Sequence, residues 1–149
     1  MGSIFTTYKL QCVKEKAAKY EMDKKVSEPR DAYKILNTVF DMENQSEEVL
    51  TMLALNTKNV VVGAFEVSRG SLNSSIVHPR EIFKRALLVN AASIVVAHNH
   101  PSGDPSPSNE DINVTHRIKE SGRIIGIELL DHIIIVEGKY LSLKEKGIL

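Results

Sequence analysis

The feature that most constrains the fold is a short apolar run that leads directly into polar residues. Residues 93–97 include three β-branched side chains, which is typical of a buried central strand. This strand ends at His98, and residues 99–107 contain three prolines and one glycine, which indicate a loop. Ser108 then provides a cap for a helix. The sequence therefore predicts a buried strand, a stiff loop and a capped helix in that order.

The other elements follow from the spacing of apolar residues and from turn-forming sequences. Apolar residues in unbroken or alternating runs predict strands, and apolar residues at helical spacing after a cap or a proline predict helices. The predicted strands are 4–13, 49–55, 60–68, 72–77, 124–130 and 132–136; the predicted helices are 27–42, 78–89 and 108–120, with Gly122 beyond the last; residues 144–147 form a final turn. This order predicts an α/β fold of the α+β type, with a mixed, mainly antiparallel β-sheet flanked by helices.

The length of the chain fits one domain. A sequence of 149 residues buries roughly two-thirds of its unfolded surface and folds without disulfides. Residues 14–25 are dense in charge and are predicted to be an exposed connection or a short solvated helix. We therefore divide the chain into an N-terminal strand and connecting segment, 1–26, and a domain, 27–149. Whether strand 4–13 pairs with a second subunit is left open, so no oligomeric state is predicted.

Charge and composition exclude several classes of protein. Nineteen Lys and Arg balance nineteen Asp and Glu, so no global field attracts nucleic acid or anionic lipid. Aromatic residues make up 5% of the chain and Trp is absent, which leaves little for base stacking. The single cysteine, Cys12, cannot form an internal disulfide, and no apolar run reaches the roughly 18 residues of a membrane span. We expect a soluble cytoplasmic protein that binds neither membranes nor DNA directly.

Three residues around the predicted loop have the pattern of a metal site. His98 and His100 are two apart at a strand end, so their imidazoles point to the same side and can reach one ion. Asp111 lies in the first turn of the next helix, to which the proline-rich loop folds back. Two nitrogens and one oxygen leave a fourth position open, as in catalytic zinc sites. A His-x-His pair alone is a weak motif, since it arises by chance in roughly one such chain in six.

Two further residues are candidates for catalysis. Ser108 is a helix N-cap, and its hydroxyl near a metal could also donate to an oxyanion. Hydrolysis further needs a general base, and Glu48 at the start of strand 49–55 suits that role better than Glu66 or the neighbouring Glu47. An ordinary solvated carboxylate is the alternative interpretation of Glu48.

The remaining histidines carry weaker signals. Asp131 and His132 lie between two apolar runs, where they are either a pair that orients a metal ligand without touching the metal or part of a structural turn. His78 precedes a helix-opening proline, and His116 lies on the helix after Asp111. Both are interpreted as structural or surface residues.

These residues together resemble the JAMM, or MPN+, metalloprotease signature. Its parts are Glu48, the run His98-Asn99-His100-Pro101 and the spacing Ser108-x-x-Asp111. Further segments of the sequence, from about Ser27 to the C-terminus, resemble the RadC family of bacterial JAMM-domain proteins. They comprise Gly70-Ser71-Leu72-Asn73, Val77-His78-Pro79-Arg80-Glu81, Pro101-Ser102-Gly103-Asp104, Glu110-Asp111 and Leu130-Asp131-His132-Ile133.

The resemblance implies a JAB1/MPN, cytidine-deaminase-like core with one zinc ion held by His98, His100 and Asp111. It implies that Glu48 activates a water and that Ser108 helps to hold the tetrahedral intermediate. The implied reaction is hydrolysis of an amide or isopeptide bond in a peptide or protein substrate. Full-length RadC proteins also carry an N-terminal helix-hairpin-helix region, for which this chain is too short. Short chains that carry this domain alone resemble the RadC-like proteins of mobile elements and prophages.

Three other functions are alternatives to a zinc peptidase. The main alternative is a metal-stabilised interaction module in DNA repair or mobile-element biology, which follows from the family association. A metal-dependent nuclease rests only on the literal string His98-Asn99-His100, whereas that nuclease name refers to residues spread over a ββα fold. A nucleoside deaminase is a weaker alternative, because this sequence lacks the cysteine pair and the His-x-Glu signature of those enzymes.

Overall fold

A computed structural model describes residues 1–72 and 77–149. Its described part contains one five-stranded sheet and three α-helices. In chain order the elements are α1 (Pro29–Phe40), β1 (Val49–Leu55), β2 (Val61–Arg69), α2 (Pro79–Leu88), β3 (Ser93–Asn99), α3 (Asn109–Ile125), β4 (Glu128–Val136) and β5 (Lys139–Ser142). A 3₁₀ turn, Met42–Asn44, follows α1.

The sheet is mixed and mainly antiparallel, which confirms the predicted fold class. The strand order is β2-β1-β3-β4-β5. Only β3 and β4 are parallel; the other neighbouring pairs are antiparallel. Every residue of β1 and of β3 is buried, because helices cover both faces of these central strands.

Two apolar layers enclose the sheet. One face packs against α2 and α3, where the core contains Ile82, Phe83 and Ile118. The opposite face packs against α1 through Ala32 and Leu36. Alternate residues of β1 enter the two layers, as the two-residue period of a strand requires.

Helix α1 begins and ends where local chemistry allows. Pro29 occupies the first turn, where its missing N–H costs nothing. The carboxylate of Asp31 accepts hydrogen bonds from the backbone N–H groups of Ser27 and Glu28, at 2.8 and 3.1 Å. The helix ends at Asp41, which adopts a left-handed conformation with φ 51°. The predicted helix 27–42 is therefore confirmed, although it begins later, at Pro29, and ends earlier, at Phe40.

The strand predicted at 4–13 is wrong, because these residues form no strand and are exposed. An alternating pattern stabilises a strand only when one face can pack against other residues, and the side chains of Tyr8 and Leu10 are 90% and 83% exposed. Residues 14–25 contain no helix; Lys25 instead forms an isolated antiparallel bridge with Val60. The division of the chain at residue 26 stays a prediction.

The C-terminal third differs from the sequence prediction in two ways. Helix α3 continues through Gly122 and ends at Gly126, which has φ 84°. Gly122 lies inside the helix, and this position requires glycine because a Cβ there would lie 2.3 Å from the carbonyl oxygen of Ile127. The strands predicted at 124–130 and 132–136 are one strand, β4, which begins only at Glu128, and residues 124–125 belong to α3 instead. Strand β5 was not predicted. The strand predicted at 72–77 falls largely on residues 73–76, outside those that the structure describes.

Candidate metal centre

Three side chains converge where β3 ends and α3 begins. His98 is fully buried near the end of β3, and His100 follows one residue beyond that strand. Asp111 is the third residue of α3 and is 3% exposed. The central strand fixes the first histidine, and the helix start fixes the carboxylate. The loop between them returns the chain over the strand end.

The ligand atoms of these three residues lie close together. The Nε2 atoms of His98 and His100 are 2.9 Å apart. The two carboxylate oxygens of Asp111 each lie 3.3 Å from one of these nitrogens. Within the described residues, these three side chains are positioned to hold a metal ion.

In both His98 and His100, the outer ring nitrogen, Nδ1, which is not the one that faces the other two residues, already has a polar contact. Nδ1 of His100 lies 2.7 Å from the carbonyl oxygen of Asp104, which can only accept a hydrogen bond. We therefore assign the proton of neutral His100 to Nδ1 and a lone pair to Nε2. Nδ1 of His98 lies 2.7 Å from Nε2 of His132. Both ligand histidines thus keep their outer nitrogens in contacts that hold the rings in place.

This donor set fits a cation. Nitrogen lone pairs and a carboxylate that face one another across about 3 Å repel unless a proton on one of the imidazoles or a bound cation lies between them. Burial acts to raise the pKa of Asp111, but the contacts with His100 and His98 outweigh it and hold the pKa well below its usual range. Asp111 is therefore an anion at neutral pH, which is the form that binds metals.

The neighbouring imidazoles respond to the same surroundings. The carboxylate of Asp111 is the main cause that raises the pKa of His100. Complete burial lowers the pKa of His132 well below its ordinary value, and the nearby His98 lowers it further. His132 is therefore neutral at physiological pH.

Ser108 is the N-cap of α3, as its sequence position predicts. Its Oγ accepts a hydrogen bond from the backbone N–H of Asp111 at 3.1 Å. In return, Oδ2 of Asp111 accepts from the backbone N–H of Ser108 at 2.8 Å. This reciprocal pair is a capping box, and here it also fixes the orientation of the carboxylate.

An open cavity of about 420 Å³ lies beside the three residues. Its lining includes Glu48, together with His100, Ser108 and Asp111. Oε2 of Glu48 accepts a hydrogen bond from the backbone N–H of Leu72 at 2.7 Å. The structure therefore places Glu48 on the wall of the same cavity as the converging side chains.

The two other candidate glutamates contact Arg69 instead. Glu66 forms an ion pair with Arg69 at 2.5 Å, and Glu47 approaches the same guanidinium at 3.5 Å. Neither carboxylate is among the residues that line the cavity.

Asn99 has a role that the sequence analysis missed. Its side chain is buried, and its Oδ1 accepts from the backbone N–H of Val49 at 2.7 Å. Its Nδ2 donates to the carbonyl oxygens of Glu47 at 3.0 Å and Gln45 at 3.4 Å. Asn99 thus holds the segment that carries Glu48 against the end of β3. The only sequence signal was its position between the two histidines.

Asp131 and His132 have different surroundings, although they are neighbours in β4. His132 points at His98, whereas the carboxylate of Asp131 accepts from the hydroxyl of Ser142 at 2.6 Å and from the backbone N–H of Lys144 at 3.1 Å. Asp131 therefore joins β4 to the chain after β5 and lies in a strand, not in a turn.

The other two histidines lie apart from the three converging residues. His78 caps α2 by accepting from the backbone N–H of Arg80, and exposed His116 contacts the carbonyl oxygen of Ile148.

Comparison with known proteins places the chain in a family. The sequence model of the RadC-like JAB domain matches residues 26–148. The chain belongs to the RadC-like JAB domain family. Its mixed five-stranded sheet with three helices is consistent with a JAB/MPN domain.

Several relatives of this RadC-like JAB domain carry the name UPF0758 protein. One from Clostridium beijerinckii is 57% identical over 127 residues, which cover 85% of this chain and 55% of that protein. One from Clostridium botulinum strain Hall is 58% identical over 123 residues, which cover 83% and 53%. The chain thus spans about half the length of the curated relatives it matches.

No helix in the described ranges has the length and apolar character needed to cross a membrane.

Proposed function

We propose that this RadC-like JAB domain is a zinc-dependent hydrolase that cleaves a peptide or isopeptide bond. The observation that carries the proposal is the convergence of His98, His100 and Asp111 beside a cavity that His100, Asp111 and Glu48 line. Three protein ligands beside open space are the arrangement of catalytic metal sites.

Two observations favour zinc as the metal. Two imidazoles with one carboxylate suit zinc, whereas magnesium and calcium prefer oxygen ligands throughout. Ligands bound at 2.0–2.1 Å around a tetrahedral zinc ion lie about 3.3 Å apart. The ligand atoms here are 2.9 to 3.3 Å apart. A bound zinc ion would polarise a substrate carbonyl and lower the pKa of a water to about 7.

Glu48 is the proposed general base. The hydrogen bond from the Leu72 N–H fixes one carboxylate oxygen and leaves the group on the cavity wall. From there, the carboxylate takes a proton from a water in the cavity and then delivers it to the departing nitrogen. Ser108 is proposed to act on the carbonyl side of the bond that is cleaved. Because its Oγ accepts from Asp111, its hydroxyl hydrogen is directed elsewhere and can donate to the carbonyl oxygen of the substrate.

The charge of the cavity supports a peptide substrate over a nucleic acid. Apart from Asp111, the described lining includes the acidic residues Glu48, Asp104 and Glu110 and contains no lysine or arginine. A phosphodiester backbone would meet these carboxylates without cationic partners, which disfavours binding. We therefore propose a peptide or protein substrate and no direct contact with DNA.

Glu48→Gln tests the proposal. It removes the base but keeps a side chain of similar size, so we expect zinc content near one per chain and a hydrolysis rate at least about 100-fold lower. Hydrolysis is measured on a fluorogenic peptide library and on lysine ε-linked model isopeptides, and zinc is measured by mass spectrometry. Glu47→Gln is the matched control and should hydrolyse like wild type. Equal rates for the two variants would refute the assignment of Glu48.

The burial of His98 and Asp111 favours a second candidate function. Since a metal here would join β3 to α3 from within, it could stabilise an interaction module that acts in DNA repair or in mobile-element biology. Under this alternative, His100→Ala unfolds the protein and partner binding survives Glu48→Gln. A folded His100→Ala variant without zinc would favour the catalytic proposal.

A further inference from the structure

We propose that Thr115 and His132 are positioning residues that fix His98 in the tautomer able to bind metal. They form part of a hydrogen-bond relay, which we define as the Asp111 carbonyl, Thr115, His132 and His98. The inference deepens the proposed function and rests on its metal site. Neither positioning residue is placed in contact with the metal or the substrate.

The contacts of the relay form a continuous chain. Oγ1 of Thr115 lies 2.6 Å from the carbonyl oxygen of Asp111 and 2.5 Å from Nδ1 of His132. The opposite ring nitrogen of His132, Nε2, lies 2.7 Å from Nδ1 of His98. The side chains of Thr115, His132 and His98 are fully buried, so water does not compete for these contacts.

The direction of every hydrogen bond follows from one end of the relay. A carbonyl oxygen can only accept, so the hydroxyl proton of Thr115 points to the Asp111 carbonyl. The Thr115 oxygen must then accept from Nδ1–H of His132, which leaves a lone pair on Nε2 of His132. That lone pair accepts from Nδ1–H of His98. The Nε2 atom of His98 therefore carries a lone pair and faces the other two ligands.

The opposite tautomer of His98 would abolish this arrangement. A proton on Nε2 would point at His100 and Asp111 and would occupy the space that a metal needs. In the reversed relay, the Thr115 hydroxyl would donate to His132, and two oxygens 2.6 Å apart would face each other without a proton. The backbone of one ligand, Asp111, thus sets the protonation of a second ligand, His98.

The relay also joins three separate elements. His98 lies on β3, His132 on the parallel neighbour β4, and Thr115 one helical turn after Asp111 on α3. These elements are held in position by the core, so the relay is formed before any metal binds. Loss of such partners of ligand histidines typically weakens metal affinity 10- to 100-fold.

The test compares Thr115→Val with Thr115→Ser. Valine matches the shape of threonine but has no hydroxyl, so Nδ1–H of His132 loses its acceptor; serine keeps the hydroxyl. We expect zinc affinity, measured by competition with a chromophoric chelator, to fall about 10-fold or more in Thr115→Val. Thr115→Ser should stay within about 3-fold of wild type by the same reasoning. His116→Gln, on the exposed face of the same helix, is the control.

A second measurement reads the tautomers directly. Ring ¹⁵N correlation spectra of the metal-free protein should show His98 and His132 protonated on Nδ1 in wild type and in Thr115→Ser. Thr115→Val should show a mixture of tautomers at His132. Thermal unfolding of the metal-free variants separates this effect from general destabilisation.

The outcomes separate the relay from the proposed function. Equal zinc affinities for Thr115→Val and wild type would overturn the relay and leave the hydrolase proposal intact. A wild-type protein that binds no zinc would refute the metal site, and the ring spectra would still decide the tautomers. If Thr115→Val does not fold, the wild-type spectrum decides, and a proton on Nε2 of His98 would overturn the relay.

Discussion

Asn99→Asp changes one NH₂ group to an oxygen and tests whether Asn99 holds the segment that carries Glu48. The retained Oδ1 can still accept from the N–H of Val49, as it does at 2.7 Å, whereas the introduced oxygen takes the place of Nδ2. It cannot donate to the Glu47 carbonyl, which Nδ2 contacts at 3.0 Å, nor to the Gln45 carbonyl at 3.4 Å. The variant therefore places a carboxylate against carbonyl oxygens at a site that is 3% exposed.

The expected loss combines two costs. A buried carbonyl without its donor costs about 1–3 kcal/mol, and burying an unpaired carboxylate adds to this, so the free energy of unfolding should fall by about 2–4 kcal/mol at pH 7. Because burial raises the pKa of the introduced carboxyl above its unfolded value of about 3.9, the deficit should shrink as pH falls through the folded pKa. Protonation then restores an O–H donor.

Urea unfolding of the metal-free protein measures this loss. The difference between variant and wild type should be taken at pH 7 and at pH 5, so that titration of other groups cancels. Asn113→Asp makes the same chemical change on the exposed side of α3 and should alter stability by no more than about 0.5 kcal/mol. If Asn99→Asp changed stability as little as this control, the claim that Asn99 anchors the segment would be refuted.

Two further predictions follow from local contacts. Gly122→Ala should lower the free energy of unfolding by about 3 kcal/mol, because its Cβ would lie 2.3 Å from the Ile127 carbonyl oxygen; Ser121→Ala should be neutral in the same urea titration. Tyr33 donates a hydrogen bond to Glu43, which with burial raises the pKa of Tyr33 to about 12. Its tyrosinate absorbance should appear near pH 12 and shift toward 10 in Glu43→Gln. The stability from this hydrogen bond should be present below pH 10 and lost as pH rises through 12.

Sequence patterns predicted the elements whose side chains obey one period throughout. Strand β1, strand β3 and helix α1 have unbroken apolar runs or helical spacing, and their stop signals are local. The failures have non-local causes. In the sequence, Gly122 is typical of a helix end. In the structure it lies inside α3, and the close approach of the Ile127 carbonyl oxygen explains why this position is a glycine. The alternation of residues 4–13 suggests a strand, although no described neighbour buries one face of that segment.

The candidate site divides in the same way. His98, His100 and Asp111 lie within one strand, loop and helix, so their approach was readable from spacing. The sequence did not link Thr115 to them, and it gave His132 such a role only as one of two alternatives, because the parallel pairing of β4 with β3 decides that contact. Parallel neighbouring strands are connected through a crossover, and the sequence does not show which residues of the two strands pair.

The register of β1 against β3 explains why Glu48, and not Glu47, lines the cavity. Leu50 pairs with His98 in this antiparallel ladder, so counting two residues outward places Glu48 opposite His100. Directly opposed residues project to the same face, whereas Glu47 projects to the other face, where Arg69 lies. A slip of one residue would exchange the two carboxylates. Asn99 contacts Val49 and Glu47 on either side of Glu48, and it thereby holds the register that places the Glu48 carboxylate in the cavity beside the candidate metal site.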